Sequence, residues 1–126
     1  EMCIRDSFKT ISNSKMGLNL SRGNPIKYYS SDRITQIIGN GLVTLIDEKT
    51  CYSDFFDDTE MVFYKNISDL SEKIEKISED EKLRKLIGRK GKAKYMKYFN
   101  STLVSDFIIN KTYEMNVSKN YLWHKP

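Results

Sequence analysis

Apolar residues recur along this chain in two rhythms, short continuous runs and helical spacings, and the two alternate. Residues 16–20 (MGLNL) form the first run, broken by Ser21, Arg22, Gly23, Asn24 and Pro25, which is turn chemistry, so a strand ends there. Ser30, Ser31 and Asp32 then offer N-cap oxygens ahead of Ile34, Ile37 and Ile38, whose spacing marks one face of a helix. Gly39-Asn40-Gly41 stops that helix. Residues 42–46 (LVTLI) have the continuous, β-branched character of a strand buried on both faces, and Asp47 marks its end. Strand, helix and strand in this order predict a parallel pair. The start of the helix then lies beside the C-terminal end of the first strand, where α/β sheets bind ligands. Free backbone N–H groups and the helix dipole at that point favour a phosphate.

The alternation continues. From 48 to 60 the chain is polar and aromatic, with one short helix expected around residues 51–56, and residues 61–64 (MVFY) predict a third strand. Asn66 or Ser68 caps a helix with Leu70, Ile74 and Ile77 on one face. Residues 78–81 (SEDE) read as a capping box opening a further helix, acidic at its start and basic later. Leu83, Leu86, Ile87, Tyr95, Met96 and Phe99 are its buried candidates, and Ser101 caps a last helix with Leu103, Val104, Phe107 and Ile108 inward. The triplets beginning at Asn66, Asn100 and Asn116 match the glycosylation acceptor pattern, but the first two precede helical runs and read as caps. These elements predict an α/β fold, a partial parallel sheet flanked by helices with a helical C-terminal run. Such sheets usually have about four to six strands, so more are expected upstream.

At 126 residues the chain fits one domain. Residues 1–7 (EMCIRDS) match the translation of a transposon-end sequencing adapter and are set apart from the fold. Residues 8–115 are expected to form a domain incomplete at its N-terminus, beginning inside a helix near Phe8, and 116–126 a loose tail. Setting aside Arg5, Glu1 and Asp6 with the first segment raises the formal charge from +4 to +5. It also leaves Cys51 as the sole cysteine, which excludes a disulfide framework and favours a reducing, cytoplasmic compartment. His124, the only histidine, stands near the C-terminus beside Trp123 and is assigned no catalytic role. No apolar run approaches the roughly 20 residues of a membrane span. No acidic cluster between 16 and 47 suits a metal, and no cofactor is implied.

Residues 17–20 (GLNL), Arg33-Ile34-Thr35-Gln36, Gly39-Asn40-Gly41 and the strand ending at Asp47 stand in the order of a known signature. After them come a strand, a helix following Ser68-Asp69-Leu70, a charged break and a long basic helix ending at Tyr98-Phe99. Over residues 8–115 the chain resembles the C-terminal, nucleotide-sugar-binding domain of GT-B glycosyltransferases, closest to the spore-protein CgeB-like, glycosyltransferase group 1 type. The resemblance implies a Rossmann-like sheet, a nucleotide-diphosphate sugar donor and metal-independent glycosyl transfer to a glycan, lipid or protein acceptor. It also implies that an N-terminal domain supplies the acceptor wall and catalytic base, so no catalytic residue is assigned and the isolated chain is expected to be inactive. The family has a ribose-binding Glu where this chain has Gln36, whose amide can both donate to and accept from a diol.

In that reaction the bond between the anomeric carbon and the diphosphate breaks, and negative charge grows on the leaving group. Fixed dipoles and cations stabilise it without reorganising. Ser21, Arg22 and Lys27 in the loop, Ser30 and Ser31 at the cap, and Arg33 in the first helical turn are the candidate donor-binding residues, with Gln36 for the ribose. The planar fork of Arg33 suits bidentate phosphate binding. Tyr28 and Tyr29 are expected to pack rather than stack on a base.

Other readings are weaker. The G-x-G at 39–41 closes a helix and opens a strand, the reverse of a dinucleotide fingerprint. Lys82, Arg84, Lys85, Arg89, Lys90, Lys92, Lys94 and Lys97 form a basic stretch with Tyr95 and Tyr98 interleaved, which a solvated helix face explains. An anionic membrane carrying a lipid-linked acceptor is the next partner it fits, and nucleic acid the least.

Overall fold

Three branched aliphatic side chains in five residues put β2 (Val43–Asp47) in the middle of the sheet. Val43, Leu45 and Ile46 are almost wholly buried. The computed structural model describes residues 9–21, 23–115 and 121–124. In it β2 lies between β1 (Met16–Asn19) and β3 (Val62–Tyr64), and both pairings are parallel, with Leu18 opposite Leu45 and Leu45 opposite Val62. Burial on both faces is why LVTLI is continuously apolar. The architecture is α/β and Rossmann-like, and it ends in a helical run.

Alternate side chains feed two cores. On one face Ile34 and Ile38 of α1 (Arg33–Gly39) pack with Ile46, Phe56, Met61 and Phe63. On the other, Ile77 of α2 (Ile67–Glu79) and Ile87 of α3 (Glu81–Tyr98) meet Val43, Leu45, Val62 and Tyr64. Each such side chain stabilises the fold by about 1.5–3 kcal/mol. Helix α3 serves both cores, with Leu83 against the second and Tyr95 and Phe99 against the first. It can do so because Gly88 rests on the Gly41 carbonyl just before β2, and Gly91 on the Glu60 carbonyl just before β3, where any Cβ would collide. The helix therefore crosses the N-terminal ends of these strands.

The caps follow the predicted chemistry with shifted boundaries. Asn66 Oδ1 accepts from the Asp69 N–H at 3.0 Å, and Asn100 Oδ1 from the Leu103 N–H at 3.0 Å, so both triplets are caps. Asp80, not the predicted box at Ser78, caps α3 by accepting from the Leu83 N–H at 2.8 Å. Ser78 is still inside α2 and its hydroxyl donates to the Glu75 carbonyl. Asn100, not the predicted Ser101, caps α4 (Ser101–Thr112), of which Ser101 is already the first residue. The predicted helix at 51–56 is instead two 3-10 turns, Glu48–Thr50 and Tyr52–Asp54, separated by Cys51 at φ 57°.

Several residues predicted to be buried are not. Ile74, Leu86, Met96, Val104 and Ile108 are 37%, 37%, 48%, 37% and 57% exposed. The close contacts of α3 are made by glycines, and α4 buries no residue at all, so side chains off those narrow contact arcs stay wet. Part of the expected loose tail is packed. Tyr121 is 3% exposed, donates to Asp106 Oδ2 at 2.5 Å and stacks edge-on against Phe107, while Trp123 lies against Phe99. Residues 9–12 are helical, as expected near Phe8. Residues 1–7 and Asn116 lie outside the described residues. No described helix is long and apolar enough to cross a membrane.

Candidate functional site

The loop after β1 is pinned to the ends of the sheet by side chains that sequence patterns do not connect. Asn19, the last residue of β1, is 2% exposed, and its Oδ1 accepts from the Ser31 hydroxyl at 2.6 Å. Ser30 accepts from the Tyr52 hydroxyl at 2.8 Å. The Tyr28 N–H donates to the Thr50 carbonyl at 2.8 Å, and its phenol to Asp54 Oδ2 at 2.6 Å. Residues 26–31 are thereby held against residues 48–55, both segments lying beyond the C-terminal strand ends. Tyr28 and Cys51, on either side of that contact, hold positive φ values of 61° and 57°. For non-glycine residues this costs about 1 kcal/mol or more each, so surrounding contacts must enforce it.

The predicted donor-binding residues divide into two groups. Lys27, Arg33 and Gln36 are exposed on the loop and the first turns of α1, and no ion pair is formed by Arg33 among the described residues. Lys27 Nζ lies 4.8 Å from the Tyr28 ring centroid. The Tyr28 phenol holds that ammonium above its usual range, while the hydrogen bond to Asp54 holds the phenol itself above the ordinary tyrosine value. Lys27 is therefore fully charged at neutral pH. Ser30 and Ser31 form the second group, with hydroxyls already engaged inside the protein. Ser21 is half-buried at the mouth of the loop, and Arg22 lies outside the described residues. Tyr28 packs on Phe55 at 5.0 Å yet stays 46% exposed, and Tyr29 is 47% exposed.

The helix start is not the open anion cradle that the sequence suggests. Asp32 sits in helical geometry with no side-chain cap. The N–H groups of Ile34 and Thr35 instead donate to the carbonyls of Ser31 and Asp32 at 3.0 and 3.2 Å, tightening the first turn. Asp47, at the end of β2, caps the following turn by accepting from the Lys49 N–H at 2.9 Å. Burial, with a further contribution from the Asp47 charge, pushes the facing Tyr64 phenol up. Sequence reasoning assigned no role to Asn19, Thr50, Tyr52 and Asp54. Asn19 alone entered it, as a member of the 17–20 (GLNL) signature.

A family described as glycosyl transferase-like matches residues 4–109, a stretch that takes in the whole sheet, α1 to α3 and most of α4. The chain belongs to the glycosyl transferase-like family. No curated protein and no solved structure matches. Membership supports a transferase domain, with glycosyl transfer as its general activity. The match includes residues 4–7 of the segment read as adapter-derived.

Within this glycosyl transferase-like domain α3 begins at the N-terminal ends of the strands, and its C-terminal half runs up to the aromatic cluster of Tyr52 and Phe55 beside the pinned loop. Several of its cations have internal duties. Lys94 pairs with Glu60 at 2.6 Å, Lys85 with Glu81 at 2.5 Å, Lys90 reaches the Thr59 hydroxyl at 3.3 Å, and Arg84 donates to the Ile77 and Ser78 carbonyls at the end of α2. A groove of about 300 Å³ between α2, α3 and β3, floored by Met61, Val62 and Ile77, is remote from the loop. Among the described residues no cluster of His, Cys, Asp and Glu is suited to hold a metal.

Proposed function

We propose that this chain is the donor-binding part of a GT-B glycosyltransferase of the CgeB-like, group 1 type, taking a nucleoside-diphosphate sugar at the C-terminal ends of β1 and β2. One observation carries this reading. In a chain of the glycosyl transferase-like family, the parallel β1–α1–β2 crossover carries between β1 and α1 a loop fastened through Ser30 and Ser31, with Lys27 exposed on that loop and Arg33 and Gln36 exposed on α1. Lys27 and Arg33 meet the diphosphate and stabilise the negative charge that grows as the anomeric carbon–oxygen bond breaks. Gln36 meets the ribose diol. These cations support transfer without a metal.

An upstream domain supplies further strands, the acceptor wall and the catalytic base, and the acceptor is a glycan, lipid or protein. The free, half-buried thiol of Cys51 supports a reducing, cytoplasmic setting. Calorimetric titration of the 126-residue chain with UDP and GDP tests the reading. Saturable binding that Arg33→Ala weakens about tenfold or more is expected, since a charge-assisted hydrogen bond contributes roughly 1.5–3 kcal/mol. No saturable binding, or binding indifferent to Arg33, overturns it.

A further inference from the structure

We infer that Asn19 is a positioning residue that turns the Ser31 hydroxyl toward a diphosphate oxygen, an inference that rests on the donor-binding reading above. Asn19 is 2% exposed, so it does not itself touch a ligand. Its carboxamide is half used. Oδ1 accepts from Ser31 Oγ at 2.6 Å, while Nδ2 is buried with no partner. Buried donors without partners are rare and costly. Asn100, whose role is structural, uses both ends of the same group, with Oδ1 accepting from the Leu103 N–H and Nδ2 donating to the Met96 carbonyl. Among the described residues Thr44 Oγ1 is the other unpartnered buried side-chain atom, but it lies within β2 and not at its C-terminal end.

Half a turn of the Asn19 amide exchanges its oxygen and nitrogen within the same volume. In the arrangement described, the Ser31 proton points inward to Oδ1. In the exchanged one, Nδ2 donates to Ser31 Oγ, and the Ser31 proton is released to point outward. Each arrangement makes one hydrogen bond to Ser31 and leaves one amide atom unpaired, so the two are closely balanced. An anionic oxygen in front of half-exposed Ser31 gains a charge-assisted hydrogen bond only in the second, and therefore selects it. Asn19 thus acts through Ser31. A leucine of similar size would fill the site with no unpaired atom, so the amide has a cost in stability that binding offsets.

The test combines calorimetry with UDP and GDP and thermal melts of the whole chain. Ser31→Ala is expected to weaken nucleotide binding about tenfold or more, and Ser31→Thr to restore it. Asn19→Leu is expected to weaken binding to the same degree with an unchanged or higher melting temperature, and the double variant to bind no worse than either single one. A merely structural asparagine would lower the melting temperature and binding together. The inference is overturned if Ser31→Ala binds as the parent does, or if the two single losses multiply. Should Asn19→Leu not fold, Asn19→Ala, which removes the same amide without placing new bulk in the site, takes its place in the cycle with Ser31→Ala. Absence of nucleotide binding by the parent removes the donor-binding reading as well, whereas binding insensitive to Ser31 removes only this inference.

Discussion

Gly88 of α3 rests directly on the main-chain carbonyl of Gly41, the residue that leads toward β2. Helix propensity and packing here have opposite signs. Alanine at a helix interior gains about 1 kcal/mol over glycine. A methyl group facing immovable backbone loses about 1–3 kcal/mol. Gly88→Ala is therefore expected to destabilise the domain, and Gly91→Ala, against the Glu60 carbonyl, to do the same. Urea denaturation checks both, and a stabilised Gly88→Ala would show that the contact is not there.

The pair Lys94–Glu60 is largely withdrawn from water, with side chains 24% and 16% exposed, and the ammonium also lies 5.6 Å from the Phe56 ring centroid. Lys94→Met leaves the Glu60 carboxylate, among the described residues, with only the Asp57 N–H at 3.1 Å. A loss of about 1–3 kcal/mol is expected, and Glu60→Gln in the same chain should recover part of it. Equal and additive losses in a double-mutant cycle would argue that the two groups do not interact.

Removing the Tyr52 hydroxyl cuts the bond to Ser30. Tyr52→Phe should cost about 0.5–1.5 kcal/mol. Its local signature is faster amide hydrogen exchange over residues 26–31, with exchange in β2 scaled only by the global loss.

Acid should weaken the domain through Asp69. The Lys73 ammonium, at 2.9 Å, and then the Lys65 N–H hold this carboxyl below its usual value of 3.8. A depressed carboxyl contributes stability that is complete above its unfolded value and is lost as pH falls through the lower folded value. The expected decline therefore begins near pH 4 and continues below it. Asp69→Asn should flatten that limb of a melting-temperature profile, and an unchanged profile would remove Asp69 from the account.

Gln36 stands where the family resemblance implies a carboxylate. On the donor-binding proposal, Gln36→Glu exchanges neutral hydrogen bonds to the ribose diol for charge-assisted ones, a gain of about 1 kcal/mol. Roughly fivefold tighter UDP or GDP binding is expected by calorimetry. Unchanged affinity would mean that residue 36 does not face the ribose.

The parallel sheet was legible because β2 demands burial on both faces, and only a run like LVTLI satisfies that. The caps at Asn66 and Asn100 were legible because they act three residues along the chain. Ser30 and Ser31 were misleading for the opposite reason. Their partners Tyr52 and Asn19 lie 22 and 12 residues away, and no local rule announces them. The crossing of α3 was hidden in Gly88 and Gly91, which read locally as weak spots in a helix. Val104 and Ile108 were placed inward because spacing gives a helix an apolar stripe but does not say how much of it finds a neighbour.

The two outer strands are protected unequally. On β3 the Lys73 ammonium reaches the Phe63 carbonyl at 2.7 Å, occupying main-chain bonding capacity with a charge. Strand β1 pairs only with β2 among the described residues, has no such guard, and is followed by Leu20 and Ile26 at 48% and 60% exposure. An unguarded parallel strand is a template for another chain. Handled alone at high concentration, this protein should self-associate through β1, and a lysine or proline introduced there should keep it dispersed.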